Sequence, residues 1–239
     1  MPSKTSLGPT SRQQPLRTKR LELVPLTPQH QADLYALDAD PAVMRYIGYG
    51  KPLSESDSET GLKCLLDLAE DGLGAWAGYA GADFVGWWVL AAAPAQTEAQ
   101  TQTQTQTQAS QAESPPTRSE DSIPTRPPPQ TDSPQPQPPT HLVFGLRISP
   151  RFWRRGYGTE GTRALFRHAF GALGAEQISG DAMTVNAGSR AAMAACGMTH
   201  VRTFHNEYDS PPPGIEEGEV EYRITRGEWE EGEGEGKGV

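Results

Sequence analysis

The stretch Ser149-Pro-Arg-Phe-Trp-Arg-Arg-Gly-Tyr-Gly-Thr-Glu-Gly161 decides the fold. An apolar, strand-like run, Leu142–Ile148, enters it. A helix-period stripe of Leu165, Phe166, Ala169, Phe170 and Leu173 leaves it. A strand feeding a basic, glycine-containing loop and then a helix is machinery for a phosphate or pyrophosphate. Glycine lets the backbone approach a ligand closely. The free N–H groups of the first helical turn point at that ligand, and the helix dipole favours negative charge. Arg154 and Arg155 add charge of their own. As a bare pattern, Gly156-x-Gly158-x-x-Gly161 imitates a dinucleotide fingerprint, with Asp181 twenty residues beyond. In that fingerprint the glycines follow their strand almost at once, whereas Ser149 to Arg155 intervene here. Only 58 residues follow Asp181, too few for the rest of a doubly wound sheet. A nicotinamide enzyme is set aside on these grounds. A glycine loop of purely structural use stays open beside the phosphate reading.

Outward from the loop, the pattern alternates strands and helices. Upstream, Leu21–Leu26 reads as a strand, and Pro25 assigns it to a sheet edge. Thr27-Pro28 caps a short helix through Leu34 and Leu37, which Asp40-Pro41 breaks. Ser54, Glu55 and Asp57 open a second helix carrying Leu62, Leu65, Leu66 and Ala69 on one face. Ala75–Tyr79 and Phe84–Ala91 read as paired strands around a turn at 80–83. Downstream of the loop helix come a strand near Gln177–Met183, a short helix over Ser189–Ala195, and strands near Met198–Phe204 and Glu219–Thr225. The fold class is α+β, a mixed sheet flanked by helices.

Composition divides the chain further. Residues 94–140 hold 11 of the 22 prolines, a Thr-Gln repeat, no glycine, and Ile123 as the one large apolar residue. Such a segment buries too little to offset its ordering entropy and is expected to be disordered. The same holds for the acidic Gly/Glu tail, 230–239, and a basic arm, 1–16, reads as flexible. What remains, 17–93 and 141–229, forms the two halves of one interrupted domain. Net charge is −9, with eleven acids against three bases from Glu207 onward. Without basic and aromatic interleaving there is no case for nucleic acid. The longest apolar run, Trp87–Ala93, is far short of a bilayer span, so no membrane association is expected and the chain reads as soluble, intracellular and cytoplasmic. Cys64 and Cys196 have no zinc spacing, and no metal is expected; both read as buried small apolar residues.

The segment Ile148 to Glu160 resembles the acetyl-CoA loop of the GCN5-related N-acetyltransferase (GNAT) superfamily, and more closely its RimJ/RimL-like branch, which acetylates ribosomal-protein N-termini. Leu16-Arg-Thr-Lys-Arg-Leu-Glu-Leu-Val-Pro-Leu, Asp40-Pro-Ala-Val-Met-Arg-Tyr-Ile-Gly, Asn186-Ala-Gly-Ser-Arg and Cys196-Gly-Met follow in the family's order. The resemblance implies a GNAT fold, a mostly antiparallel sheet with splayed middle strands, and acetyl-CoA as cosubstrate. It implies that Arg154, Arg155, Gly156, Tyr157, Gly158 and Thr159 cradle the pyrophosphate. Gly145, Leu146, Arg147 and Ile148 would meet the pantetheine amides. Asn186 and Ser189 would lie near the pantetheine and sulfur, with Ser189 protonating the leaving thiolate; the plain alternatives are an N-cap and a first-turn serine. Where superfamily members often have a strand Glu and a helical Tyr, this chain has Val143 and Met193, and the usual glycine between Trp153 and Arg155 is Arg154.

No base is therefore assigned by motif. His205, Glu207, Asp209 and Asp181 are the candidates to anchor a proton path, and His205 and Glu207 are taken as catalytic candidates with Ser189. An α-amine with pKa ~8 is roughly one-tenth neutral at pH 7, a lysine less than a thousandth. A site without a strong base thus suits an α-amine. The expected activity is acetyl transfer by direct attack of a primary amine, a protein N-terminus or a small molecule. A non-catalytic acyl-CoA-binding protein stays open, as does the choice between monomer and dimer.

Overall fold

The computed structural model describes residues 13–94 and 140–235. The insertion, most of the basic arm and the last four residues lie outside them. The chain builds one eight-stranded sheet. β1 (Leu16–Arg17), β2 (Glu22–Pro25), β3 (Gly74–Ala80), β4 (Asp83–Ala92) and β5 (His141–Ile148) run antiparallel in sequence order. β6 (Gln177–Met183) then adds parallel to β5, and β8 (Glu219–Thr225) and β7 (Thr199–Phe204) complete the far side in that spatial order. The expected mixed, mostly antiparallel sheet is what forms.

Local chemistry sets the helices. Thr27 and Pro28 start a single 3-10 turn that leads into α1 (Gln31–Asp38). The Asp40 carboxylate accepts the Ala42 N–H at 2.8 Å, so the break at Asp40-Pro41 begins a further short helix, α2 (Pro41–Met44). The Ser54 hydroxyl accepts the Asp57 N–H at the start of α3 (Glu55–Asp67). α4 (Tyr157–Gly171) and α5 (Ala187–Ala195) cover the opposite face of the sheet.

Successive strand residues point to opposite faces, and Trp87 and Trp88 split accordingly. Trp88 lies with Trp76, Phe144, Leu165, Phe166, Ile178 and Ile224 under α4. Trp87 lies with Leu34, Leu37, Met44, Leu62 and Ala77 under α1–α3. A Cβ on Gly161 would sit 2.4 Å from the Trp88 indole, and one on Gly78 would sit 2.2 Å from it. The third glycine of the loop pattern therefore serves close helix–sheet packing.

Several expectations are corrected. β2 is not an edge strand. β1 pairs only with Glu22 and Leu23, however, so Pro25 stands beyond its reach, where no ladder bond is required of it. The basic arm is tied down before residue 16: Gln13 donates to the Ala75 carbonyl at 2.7 Å, and the Trp76 indole donates to the Gln14 carbonyl at 2.8 Å. The acidic tail is helical as far as Glu235, in α6 (Arg226–Glu235). Thr225 and Glu228 exchange bonds as a capping box, and Trp229 packs edge-on against Phe166, anchoring the helix despite its glycines. Cys64 is exposed on α3, away from its Leu62 face; only Cys196 is buried, and burial pushes its thiol up to about 12.

Candidate active site

The sheet opens between β5 and β6. These strands pair only from His141–Val143 to Gln177–Ser179, and beyond that they part. Which backbone groups face the opening follows from alternation along an antiparallel ladder. The Ala93 N–H bonds the His141 carbonyl and the Ser149 N–H bonds the Val85 carbonyl. Odd-numbered residues of β5 therefore turn their amides to β4, and Leu146 and Ile148 turn theirs to the opening. The Ile148 carbonyl is taken by the Trp153 indole N–H at 2.6 Å. The Leu146 N–H and C=O and the Ile148 N–H stay available to an extended amide chain. On the other bank, the Thr184 N–H bonds the Gly218 carbonyl, so Asp181 and Met183 turn their amides to the opening. Of the expected β5 group, Gly145 and Arg147 thus spend their backbone on β4, and the Arg147 side chain ion-pairs with buried Asp38 over the Trp87 ring.

The loop closes one end of this opening. Arg154 has φ +55° and Gly156 φ +80°, both in the left-handed region that favours glycine. That conformation explains why a glycine would be at home in position 154. The first backbone bond of α4 runs from the Glu160 N–H to the Gly156 carbonyl. The amides of Tyr157, Gly158 and Thr159 precede the ladder and are left for a ligand. Arg155 stacks on Phe152 and Tyr157, whereas Arg154 is exposed and unpaired among the described residues.

Asn186 and Ser189 stand at the end of β6 beside the opening. The Asn186 side chain accepts the Ser189 N–H at 3.0 Å, capping α5, and the Ser189 hydroxyl makes no bond among the described residues. Met193 is buried, one turn on, and offers no proton. His205 and Glu207 follow the edge strand β7, two strand spacings, ~10 Å, from β6. The His205 ring turns to the Glu216 carbonyl at 3.3 Å; Glu207 and Asp209 are exposed. The His205 ring packs against Gly218, whose carbonyl holds the Thr184 N–H at the end of β6, and Tyr208 between Glu207 and Asp209 reaches Glu219 across from Met183.

Asp181 is on that bank. Its side chain shares a face with Ser179, opposite to α4, and stands directly across from Glu221. Asp181 is exposed at the surface, yet partial desolvation of its carboxyl, and then the Glu221 and Glu219 carboxylates, push it above its ordinary value, with Arg202 offsetting part. Glu221 pairs with Arg202 at 2.5 Å, and Glu219 accepts from Asn206 and Tyr208 at 2.6 and 2.9 Å. Asp181 is the acid of the three with no partner among the described residues. Sequence reading missed the contacts of Thr18, Arg20 and Glu160 at the loop, because 140 residues separate Arg20 from Glu160. Among the described residues no group of three or more His, Cys, Asp or Glu is placed to hold a metal ion, and no helix is long and apolar enough to cross a membrane.

Known proteins share the family and the fold. A family profile described as an acetyltransferase (GNAT) domain matches residues 20–110 and 128–199. A protein of Aspergillus fumigatus named FsC-acetyl coenzyme A-N(2)-transacetylase is 41% identical over 216 residues, which are 90% of this chain and 77% of that one. The structure of a GNAT-family acetyltransferase from Bacillus anthracis superposes with a TM-score of 0.60 at 15% identity, covering 90% of this chain and 99% of that one. RimL, a ribosomal L7/L12 alpha-N-protein acetyltransferase in complex with coenzyme A, superposes with a TM-score of 0.61 at 12% identity, covering 89% and 98%. At these identities the two structures speak for the fold alone.

Proposed function

We propose, starting from the fact that the chain belongs to the GNAT acetyltransferase family, that its acceptor is an α-amine of the kind the relative's name calls N(2). The chain is an N-acetyltransferase with acetyl-CoA as cosubstrate. The observation that carries the acceptor reading is the 41% identity across 90% of the chain. The chemistry of the site supports it, since Val143 leaves no motif base on the strand before the loop and an α-amine needs the least help to be neutral.

The reading assigns roles as follows. The Arg154–Thr159 backbone holds the pyrophosphate, and Leu146 and Ile148 pair with the pantetheine. The acceptor enters from the face opposite to α4, where Arg147, Ser179 and Asp181 project. Its nitrogen attacks the thioester carbon. The new C–N bond forms as the C–S bond breaks, and coenzyme A leaves as thiolate. Asp181 takes the amine proton, directly or through water, and Ser189 supplies one to the thiolate and regains its own from water. A carboxyl with a raised pKa is the better proton acceptor.

The test is thiol release from acetyl-CoA by the full chain over a panel of amines, with mass detection of products. Amino-acid derivatives with a free α-amine should be acetylated, with a rate that rises toward the amine pKa. Side-chain ε-amines should react at least about a hundredfold more slowly at pH 7, as their neutral fractions dictate. Exclusive ε-acetylation would overturn the α-amine reading, and acetyl-CoA binding without thiol release would favour the non-catalytic binder. Peptides with free N-termini in the same panel separate protein from small-molecule acceptors.

A further inference from the structure

Outside the loop itself, one constellation converges on it. The Arg20 Nε donates to Glu160 Oε2 at 2.6 Å, and the Arg20 backbone N–H donates to Glu160 Oε1 at 2.8 Å. The Thr18 hydroxyl donates to the same Oε1 at 2.6 Å. A second guanidinium nitrogen of Arg20 donates to the Arg155 carbonyl at 2.9 Å, and the guanidinium lies over the Tyr157 ring, 4.4 Å from its centroid. An isolated exposed ion pair contributes little. Here one arginine engages two points of the loop and stacks on a third.

Both engaged points bear on anion binding. The peptide between Arg155 and Gly156 is planar and trans, so its N–H points opposite to its C=O. By drawing the Arg155 carbonyl toward itself, Arg20 aims the Gly156 N–H away, toward the open side of the loop. Glu160 lies in the first turn of α4, where the positive end of the helix dipole serves any anion. A free carboxylate there repels a pyrophosphate. Paired with Arg20 and Thr18, it is neutralised and turned aside.

We propose that Arg20 and Thr18 are positioning residues for acetyl-CoA, acting through Glu160 and the Arg155 carbonyl to set the amides and local charge of the pyrophosphate loop. This rests on the reading that the loop at 154–159 takes the pyrophosphate. The clamp matters only to donors that carry that group.

The experiment compares two donors on the full-length chain: acetyl-CoA, and S-acetylpantetheine, which lacks the pyrophosphate and the nucleotide. For Arg20→Met, KM for acetyl-CoA should rise about tenfold, the worth of one charge-assisted hydrogen bond. Both kcat and the kcat/KM for S-acetylpantetheine should stay within about twofold of the wild type. Arg20→Lys keeps the Glu160 pair but not the planar fork, and should recover part of the loss. Equal losses with both donors would mark Arg20 as a general structural prop and overturn the proposal, as would no loss with either. Should Arg20→Met fail to fold, Thr18→Val removes the hydroxyl's bond to Glu160, with the local bonds it accepts from the Leu21 and Arg20 N–H groups, and should weaken acetyl-CoA by about threefold with the same donor selectivity. Calorimetry with coenzyme A alone reads the clamp without any acceptor. An unchanged Kd in the variants sinks the clamp, whereas a wild type that binds coenzyme A yet acetylates no amine sinks the acceptor reading instead.

Discussion

The two banks of the opening are built on opposite principles. On the donor side the acid and two of the carbonyls at the loop are matched: Glu160 has Arg20 and Thr18, the Arg155 carbonyl has Arg20, and the Ile148 carbonyl has the Trp153 indole. On the acceptor side three carboxylates crowd one face of β6 and β8, and one of them, Asp181, has no hydrogen-bond or ion-pair partner among the described residues. The donor bank attracts an anion through fixed backbone dipoles. The acceptor bank holds uncompensated charge that a cationic or proton-donating acceptor would relieve. Stability and affinity therefore reinforce each other on one bank and oppose each other on the other.

The sharpest way to break this contrast is Asp181→Asn. If Asp181 accepts the amine proton, kcat/KM for the acceptor should fall by roughly 10²–10⁴, the usual worth of general-base help. The same change should raise the melting temperature at pH 7 only slightly, because the residue is exposed and solvent screens the repulsion. The sign follows from linkage: the folded-state carboxyl is raised above its unfolded value. Its ionised form therefore costs stability at neutral pH, and that cost disappears as pH falls below the unfolded value. Asparagine should show no such gain in acid. An Asp181→Asn variant that keeps full activity would remove the acceptor bank's functional claim.

On the donor bank, Gly156→Val puts a β-branched residue at φ +80° in the pyrophosphate loop. Acetyl-CoA affinity by calorimetry should drop by about ten- to a hundredfold, an energy of the size that such backbone positions carry. Ser189→Ala comes next. Its hydroxyl makes no bond among the described residues, so a loss in kcat with unchanged acetyl-CoA affinity would support the acid role, and full retained kcat would leave water as the donor. The smallest effect is expected from replacing residues 95–139 by a Gly/Ser turn. The Ala93 N–H and the His141 carbonyl are already bonded across the gap, so kcat/KM should stay within about a few-fold. A collapse in activity without unfolding would place that segment at the substrate.

Much of the fold was legible because its punctuation is chemical. Ser54, Thr27, Asp40 and the glycines of the loop announce their turns, and β6 and β8 run over the same residues that alternation marks out. α6 was not legible from composition, since Glu and Gly dominate it. The signal was present as Thr225-x-x-Glu228 followed by Trp229, a capping box with an aromatic anchor. At the site, the pyrophosphate loop announces itself locally. The Arg20–Glu160 clamp does not, because it joins residues far apart in sequence and close only once β2 and α4 are packed. Asp181 was visible as a residue, but its face and its lack of a partner needed the β6–β8 register. His205 and Glu207 drew attention as polar groups after a strand, a signal that says nothing of how the loop after that strand runs.

The place where the insertion joins the domain has a consequence of its own. It leaves from the end of β4 and returns at the start of β5, whereas the pyrophosphate loop begins where β5 ends. Strands rise about 3.3 Å per residue, so the length of β5 keeps the two sites ~25 Å apart. A fusion made at the flanking residues Ala93 and His141 would be attached at the opposite end of β5 from the pyrophosphate loop.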